Sequence, residues 1–169
     1  MRKAVLIPLL ILLILLTSCG GRTYRTIWEY IGSMNDLTRG NIGTIDETET
    51  VNPNTISVTL RDNLKMTIFA DAATGYIFQV DLTLSLQDGP DSLEYNLFED
   101  YFLIMIRAYF PGIGISSLNS IRESLGIGSY VPGTASKIGY GSSTYYYTVT
   151  EEEAVFTAEF EKGAETLAP

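Results

Sequence analysis

Residues 55–86 read TISVTLRDNLKMTIFADAATGYIFQVDLTLSL, and the period of their apolar positions decides the fold. Ile56, Val58 and Leu60 alternate with polar residues, the two-residue repeat of a strand with one buried face. After Asp62-Asn63, a pair suited to a two-residue turn, Leu64 to Ala70 continues as a second strand. Another turn lies in Asp71-Ala72-Ala73-Thr74-Gly75, where Gly75 can take the positive φ that a type I turn with a bulge requires. Beyond it Tyr76, Phe78, Val80, Leu82, Leu84 and Leu86 share one face of a long third strand. The stretch predicts a three-stranded antiparallel meander.

Helical spacing flanks the meander. Tyr24, Ile27, Trp28 and Ile31, continued by Met34, predict an amphipathic helix ending near Gly40. Residues 41–54 are polar and acidic and read as a loop. Downstream, Asp91 with Glu94 three positions on forms a capping-box pattern that opens a helix over 91–110, stopped by Pro111-Gly112. From Tyr101 to Ile106 every residue is apolar or aromatic, as in a helix buried on all sides. Ser116 or Ser117 starts a shorter helix with Leu118, Ile121 and Leu125 on one face and Gly126 at its end. The stretch LGIGSYVPGTASKIGYGSS, residues 125–143, reads as an ordered surface loop, and STYYYTVT and AVFTAEF as a closing hairpin around Glu151-Glu152-Glu153. The expected order is α-βββ-α-α-ββ. That is an α+β fold: an antiparallel sheet of about five strands, helices on one face, and helix 91–110 lying across it. The order resembles that of small bacterial secretion-chaperone-like domains, which implies a fold and no function.

The N-terminus carries a different signal. Met1-Arg2-Lys3 is basic, Ala4 to Leu16 is apolar, and Thr17, Ser18, Cys19, Gly20 and Gly21 are small. Thirteen apolar positions suit a signal peptide and fall short of the ~20 that span a bilayer. Leu16-Thr17-Ser18-Cys19 resembles the lipobox of bacterial lipoproteins. The resemblance implies that Cys19 receives a diacylglyceryl group and becomes the first mature residue. The competing reading is an ordinary secretory signal with a chance Cys nearby. A second acyl chain turns marginal membrane binding into stable anchoring, at ~0.8 kcal/mol per buried CH₂. Gly20 is not the Asp that retains such proteins in an inner membrane, so an outer-membrane address is implied for a double-membraned source. In a single-membraned one the address is the outer face of the plasma membrane. The expected organisation is a signal peptide over 1–18, a lipidated end and short tether over 19–23, one α+β domain over 24–161 and a flexible tail over 162–169.

Composition narrows the chemistry. Removing 18 of 169 residues takes away Arg2 and Lys3 and leaves nine basic against 20 acidic side chains, a net charge of −11. A chain so acidic lacks the basic stripe that nucleic acid requires. There is no His, and lipidation would consume the single Cys, which removes the common nucleophile–base pairs and the usual zinc ligands. Carboxylates remain. Glu99 and Asp100 are adjacent and diverge by ~100° on a helix, Glu94 and Glu99 do not share a face, and a pair between Glu99 and Asp81 would need tertiary contact. Gly112-Ile113-Gly114 and Gly126-Ile127-Gly128 follow helices and lack the spacing of a phosphate loop, so no cofactor is expected. Asp46, Glu47, Glu49 and Asn52 offer hard oxygens but no EF-hand spacing, so no metal is expected either.

Tyr145-Tyr146-Tyr147 is the most suggestive cluster, with Tyr130 and Tyr140 in the preceding loop. On a strand the middle ring faces away from its neighbours, so one side is core if Phe156, Ala158 and Phe160 are core. The other side shows tyrosine to solvent, suited to a sugar ring or a protein partner. The alternative is that the rings merely pack across the hairpin. Three functions stay open: a non-enzymatic envelope module that binds a protein or glycan through these tyrosines, a carrier for an apolar ligand between the sheet and helix 91–110, and a carboxylate glycan hydrolase.

Overall fold

The computed structural model describes residues 25–38, 45, 48–87 and 89–161. The expected signal peptide, Cys19, Tyr24, Asp46, Glu47 and the tail 162–169 lie outside the described residues. The described chain is α+β, with a seven-stranded antiparallel sheet and three helices. The strands are β1 (Glu49–Asn52), β2 (Thr55–Arg61), β3 (Leu64–Ala70), β4 (Ile77–Ser85), β5 (Ala135–Tyr140), β6 (Ser143–Val149) and β7 (Glu153–Phe160). The helices are α1 (Ile27–Thr38), α2 (Ser92–Tyr109) and α3 (Ile115–Leu125).

The expected three-stranded meander forms, though Tyr76 and Phe78 do not share the buried face of Val80 and β2 buries Thr55 to Val58 without alternation. Leu64, Met66 and Ile68 of β3 face Leu84, Leu82 and Val80 of β4, and all six are buried. Arg61 pairs with Leu64 across a two-residue turn. Gly75 has φ +71°, and the Asp71 carboxylate accepts from the main-chain N–H groups of Ala73 and Thr74, which closes the second turn. Phe78 is the extra residue of a bulge between Phe69–Gln79 and Ala70–Ile77. That bulge places Ile77 and Val80 on the same buried side, with Phe78 and Gln79 between them.

The sheet order is β1-β2-β3-β4-β7-β6-β5. The last of the described strands, β7, lies inside the sheet, and pairs Leu82 with Phe156 on one side and Phe156 with Tyr147 on the other. The sheet therefore has seven strands, not five. The two additions, β1 and β5, fall in stretches that read as loops. They are the two edges, where one side is bonded and little is buried, so neither carries apolar alternation: all four residues of β1 are exposed and none of β5 is fully buried. Edge strands take their place from a neighbour's hydrogen bonds rather than from their own pattern.

The helices cover one face. In α2, Asp91 accepts from the Glu94 N–H at 2.8 Å while the Glu94 carboxylate accepts from the Asp91 N–H at 3.0 Å, the full capping box. Its buried face includes Phe98, Phe102, Met105 and Ile106. α1 packs on α2 with Ile27, Tyr30, Ile31, Met34 and Thr38, and the Tyr30 hydroxyl donates to the Met105 carbonyl at 3.0 Å. Trp28, expected in the buried stripe, is 64% exposed. It stands ~100° round the helix from Ile27, and the stripe centres on Tyr30 and Met34 instead. Thr26 and Glu29 form a second capping box, with the Thr26 N–H donating to the Glu29 carboxylate at 2.8 Å. The third helix, α3, starts at Ile115 rather than at a serine, with no side-chain cap. Among the described residues, no helix is long and apolar enough to cross a membrane.

Candidate functional site

The five candidate tyrosines do not share one surface. Tyr145 and Tyr147 point from β6 into the core and are fully buried. The Tyr145 ring stacks over Phe156 at 6.0 Å, and Tyr147 lies 6.1 Å from Phe98. Among the described residues the Tyr145 and Ser143 hydroxyls make no hydrogen bond of ordinary geometry, although Ser143 lies near enough to Tyr145 to oppose the effect of burial on its phenol. Burial pushes the Tyr145 phenol well above its usual range. Tyr147 is also pushed up, first by burial and then by the Glu99 carboxylate. Tyr146 lies on the opposite face, half-buried, where its hydroxyl donates to Glu159 at 2.8 Å and Lys137 Nζ stands 5.0 Å from its ring centre. Tyr140 is exposed at the end of β5, bonded to Ser117 Oγ at 3.1 Å.

Two of the five, Tyr130 and Tyr147, both pack on Phe98, and Tyr147 bonds the Ser129 carbonyl in the loop that follows α3. There Asn119, Arg122, Glu123, Gly126, Ile127, Gly128 and Ser129 line an open depression of about 540 Å³. Its floor is built by the end of the helix. The Ile127 N–H donates to the Arg122 carbonyl and the Gly126 N–H to the Glu123 carbonyl, the two bonds of a Schellman ending. The chain then turns back through Gly128, at φ +98°. A Cβ there would also sit 3.0 Å from Glu99 Oε1, so glycine leaves room for that carboxylate. The Tyr147 hydroxyl donates to the Ser129 carbonyl at 3.0 Å, tying the loop to the sheet. Tyr130 packs on Tyr95 with ring centres 4.5 Å apart and on Phe98 at 6.1 Å, and burial pushes its phenol upward. Arg122 reaches across to ion-pair with Glu99 of α2. A guanidinium carries five N–H donors, more than one carboxylate can take, so Arg122 can still donate to a ligand in the depression.

Sequence reasoning missed Arg122 and its pairing with Glu99. The residues lie 23 positions apart on two helices, and no local pattern joins them. The hypothetical Glu99–Asp81 pair does not form. Asp81 lies in the cross-strand row of Thr67 and Thr157, on the face away from the helices, where it accepts from Gln79 at 3.0 Å. Glu94 is buried, but its carboxylate is committed to Asn63 at 3.1 and 3.2 Å and to the capping box. The Asn63 side-chain bond, followed by the main-chain bonds, holds its carboxyl below the usual range, the reverse of what a general acid needs. Side chains fill the space between α2 and the sheet, with Phe102 and Phe156 edge to face at 4.7 Å. Among the described residues, no group of three or more His, Cys, Asp or Glu side chains is placed to hold a metal ion.

Comparison of the chain with known family models, curated proteins and solved structures found no match.

Proposed function

We propose that the protein is a non-enzymatic module, held on a bacterial envelope membrane by acyl chains on Cys19, that binds an envelope protein or a glycan through the depression beside Tyr130. The observation that carries the reading is Leu16-Thr17-Ser18-Cys19 directly after the apolar run, six positions before the first described residue, Arg25. The location is the outer membrane of a double-membraned source, or the outer face of the plasma membrane otherwise. Three features support binding at the depression rather than at Tyr145-Tyr146-Tyr147. Two rings of the triplet are core. The depression offers main-chain groups from a tight glycine turn and a partly satisfied guanidinium. Arg122 and Glu99 neutralise each other, which suits a ligand of uncharged polar groups.

The test has two parts. Protein purified from membranes is expected to begin at Cys19 and to carry the mass of a diacylglyceryl group, while Cys19→Ser is expected in the soluble fraction without it. A mature protein lacking the lipid overturns the anchor. A photo-crosslinker at Asn119, in the depression, is expected to capture one discrete partner or glycan, with capture lost on Arg122→Ala. Capture from the position of Tyr146 and not from Asn119 would move the binding surface to the other face of the sheet.

A further inference from the structure

The exit of the proposed tether is fixed by main-chain bonds. The Ile77 N–H donates to the Arg25 carbonyl at 2.8 Å, and Thr26 forms a bridge with Tyr76. Arg25, the first described residue, therefore lies at the end of the sheet that holds the β3–β4 turn. Five residues lie between Cys19 and Arg25. Even fully extended, the six steps from Cys19 to Arg25 span no more than ~20 Å. A lipid on Cys19 thus keeps this end of the domain close to the headgroups.

The same end gathers exposed rings. Among the described residues seven large apolar side chains are exposed, and four of them border the tether exit or the neighbouring strand ends: Trp28 (64%), Tyr76 (37%), Ile115 (67%) and Tyr140 (38%). The connections are explicit. Trp28 follows Thr26 by two residues, Gln79 pairs with Glu159, Phe160 with Ser143, and Ser143 with Tyr140. The Tyr140 hydroxyl then reaches Ser117 at the start of α3, two residues after Ile115. From β4 to β5 is three strand spacings, so the rim is ~14 Å wide. Leu93 and Val131 lie at the opposite end. Leu93 is in the first turn of α2, and Val131 is in the loop whose Gly133 N–H bonds the Val149 carbonyl. The acidic turn Glu151-Glu152-Glu153 is at that far end too.

We infer that this rim rests in the headgroup layer of the membrane that holds the anchor, with Trp28 as its deepest ring, so that the domain stands with the acidic turn pointing away. Trp and the tyrosines are the side chains that favour such an interface, each with an apolar body and a polar tip. The contact is made by rings rather than by charge. Arg107 lies exposed here, but so does Glu29, engaged with Thr26, and the half-buried Asp71 carboxylate is engaged with the turn. A neutral bilayer suffices, and added salt should leave the contact intact. The inference rests on lipidation of Cys19 as proposed above.

Trp28 is the single tryptophan of the chain, so its fluorescence reports on this end alone. The experiment uses the full mature protein, with its lipid confirmed by mass, reconstituted in phosphatidylcholine vesicles with and without brominated acyl chains. Trp28 emission is expected to shift to the blue on reconstitution and to be strongly quenched by the brominated lipid, in low and high salt alike. The double variant Trp28→Phe, Val131→Trp carries the reporter at the far end and is expected to be quenched little. Equal emission from Trp28 in both kinds of vesicle overturns the inference while the anchor stands. Equal quenching of the two reporters overturns the orientation. Absence of lipid on Cys19 is a failure of the anchor, seen in the mass before any fluorescence is read.

Discussion

Tyr145 and Tyr147 belong to the same tripeptide as Tyr146, yet they occupy different worlds. The outer two are sealed under α1, α2 and the Ser129 loop, and the middle one shares the open face with Lys137 and Glu159. The backbone pleat alone produces the split, and the neighbouring strand decides which side is which. Phe156 and Ala158 face inward on β7, so the residues paired with them, Tyr147 and Tyr145, must face inward too. An aromatic run is therefore no surface by itself. On a strand it is divided, and each half must be judged by what its neighbours bury.

The largest expected effect follows from the buried half. Tyr147→Ala should cost about 3–5 kcal/mol, the range for deleting a large buried ring, whereas Tyr146→Ala should stay within about 1 kcal/mol. Urea unfolding of the two variants reads the contrast, and similar midpoints would abolish it. Alkaline pH probes the same division. Burial raises the phenols of Tyr130, Tyr145 and Tyr147, so their folded values lie above the unfolded value of ~10. The stability they contribute is whole below pH ~10 and is lost as pH rises beyond it. Tyrosinate absorbance from these rings should appear together with unfolding, not before it.

Removing single hydroxyls sharpens the comparison within the buried half. Tyr147→Phe deletes the bond to the Ser129 carbonyl and should cost about 1 kcal/mol while loosening the Gly126–Tyr130 loop. Tyr145→Phe removes a buried hydroxyl that makes no hydrogen bond of ordinary geometry among the described residues, and should change thermal stability little. The smallest effect belongs to the open face. Lys137→Ala removes a cation above Tyr146 and should change stability by about 0.5 kcal/mol or less. A larger loss would mean that this face carries more than solvent.

The sequence made some of this legible and hid the rest for physical reasons. The meander was readable because β3, and β4 from Val80 to Leu84, bury alternate residues, while β2 buries Thr55 to Val58 without a break and the bulge at Phe78 takes Tyr76 and Phe78 off the expected face. The Asp91–Glu94 box was readable because capping is local chemistry, complete within four residues. β1 and β5 were not, since an edge strand buries little and borrows its geometry from β2 or β6. Trp28 misled because a large aromatic near the right offset looks like core, when Tyr30 held the better angle and a carbonyl to bond. The depression was half legible. Gly126 announced a helix end, but the Glu99–Arg122 pairing that shapes it exists only once α2 and α3 are packed.

The interior position of β7 between β4 and β6 bears on how the sheet comes together. Without residues 153–160 the sheet is two unconnected pieces: β1 to β4, and the pair β5–β6. Among the described residues the strand that joins them follows the other six in sequence, so its pairings with β4 and β6 can form only after those strands have been made. Such a chain holds no finished domain while any of that strand is still on the near side of a membrane pore. If the chain is exported as proposed above, this topology would keep the sheet in two pieces until residues 153–160 had crossed.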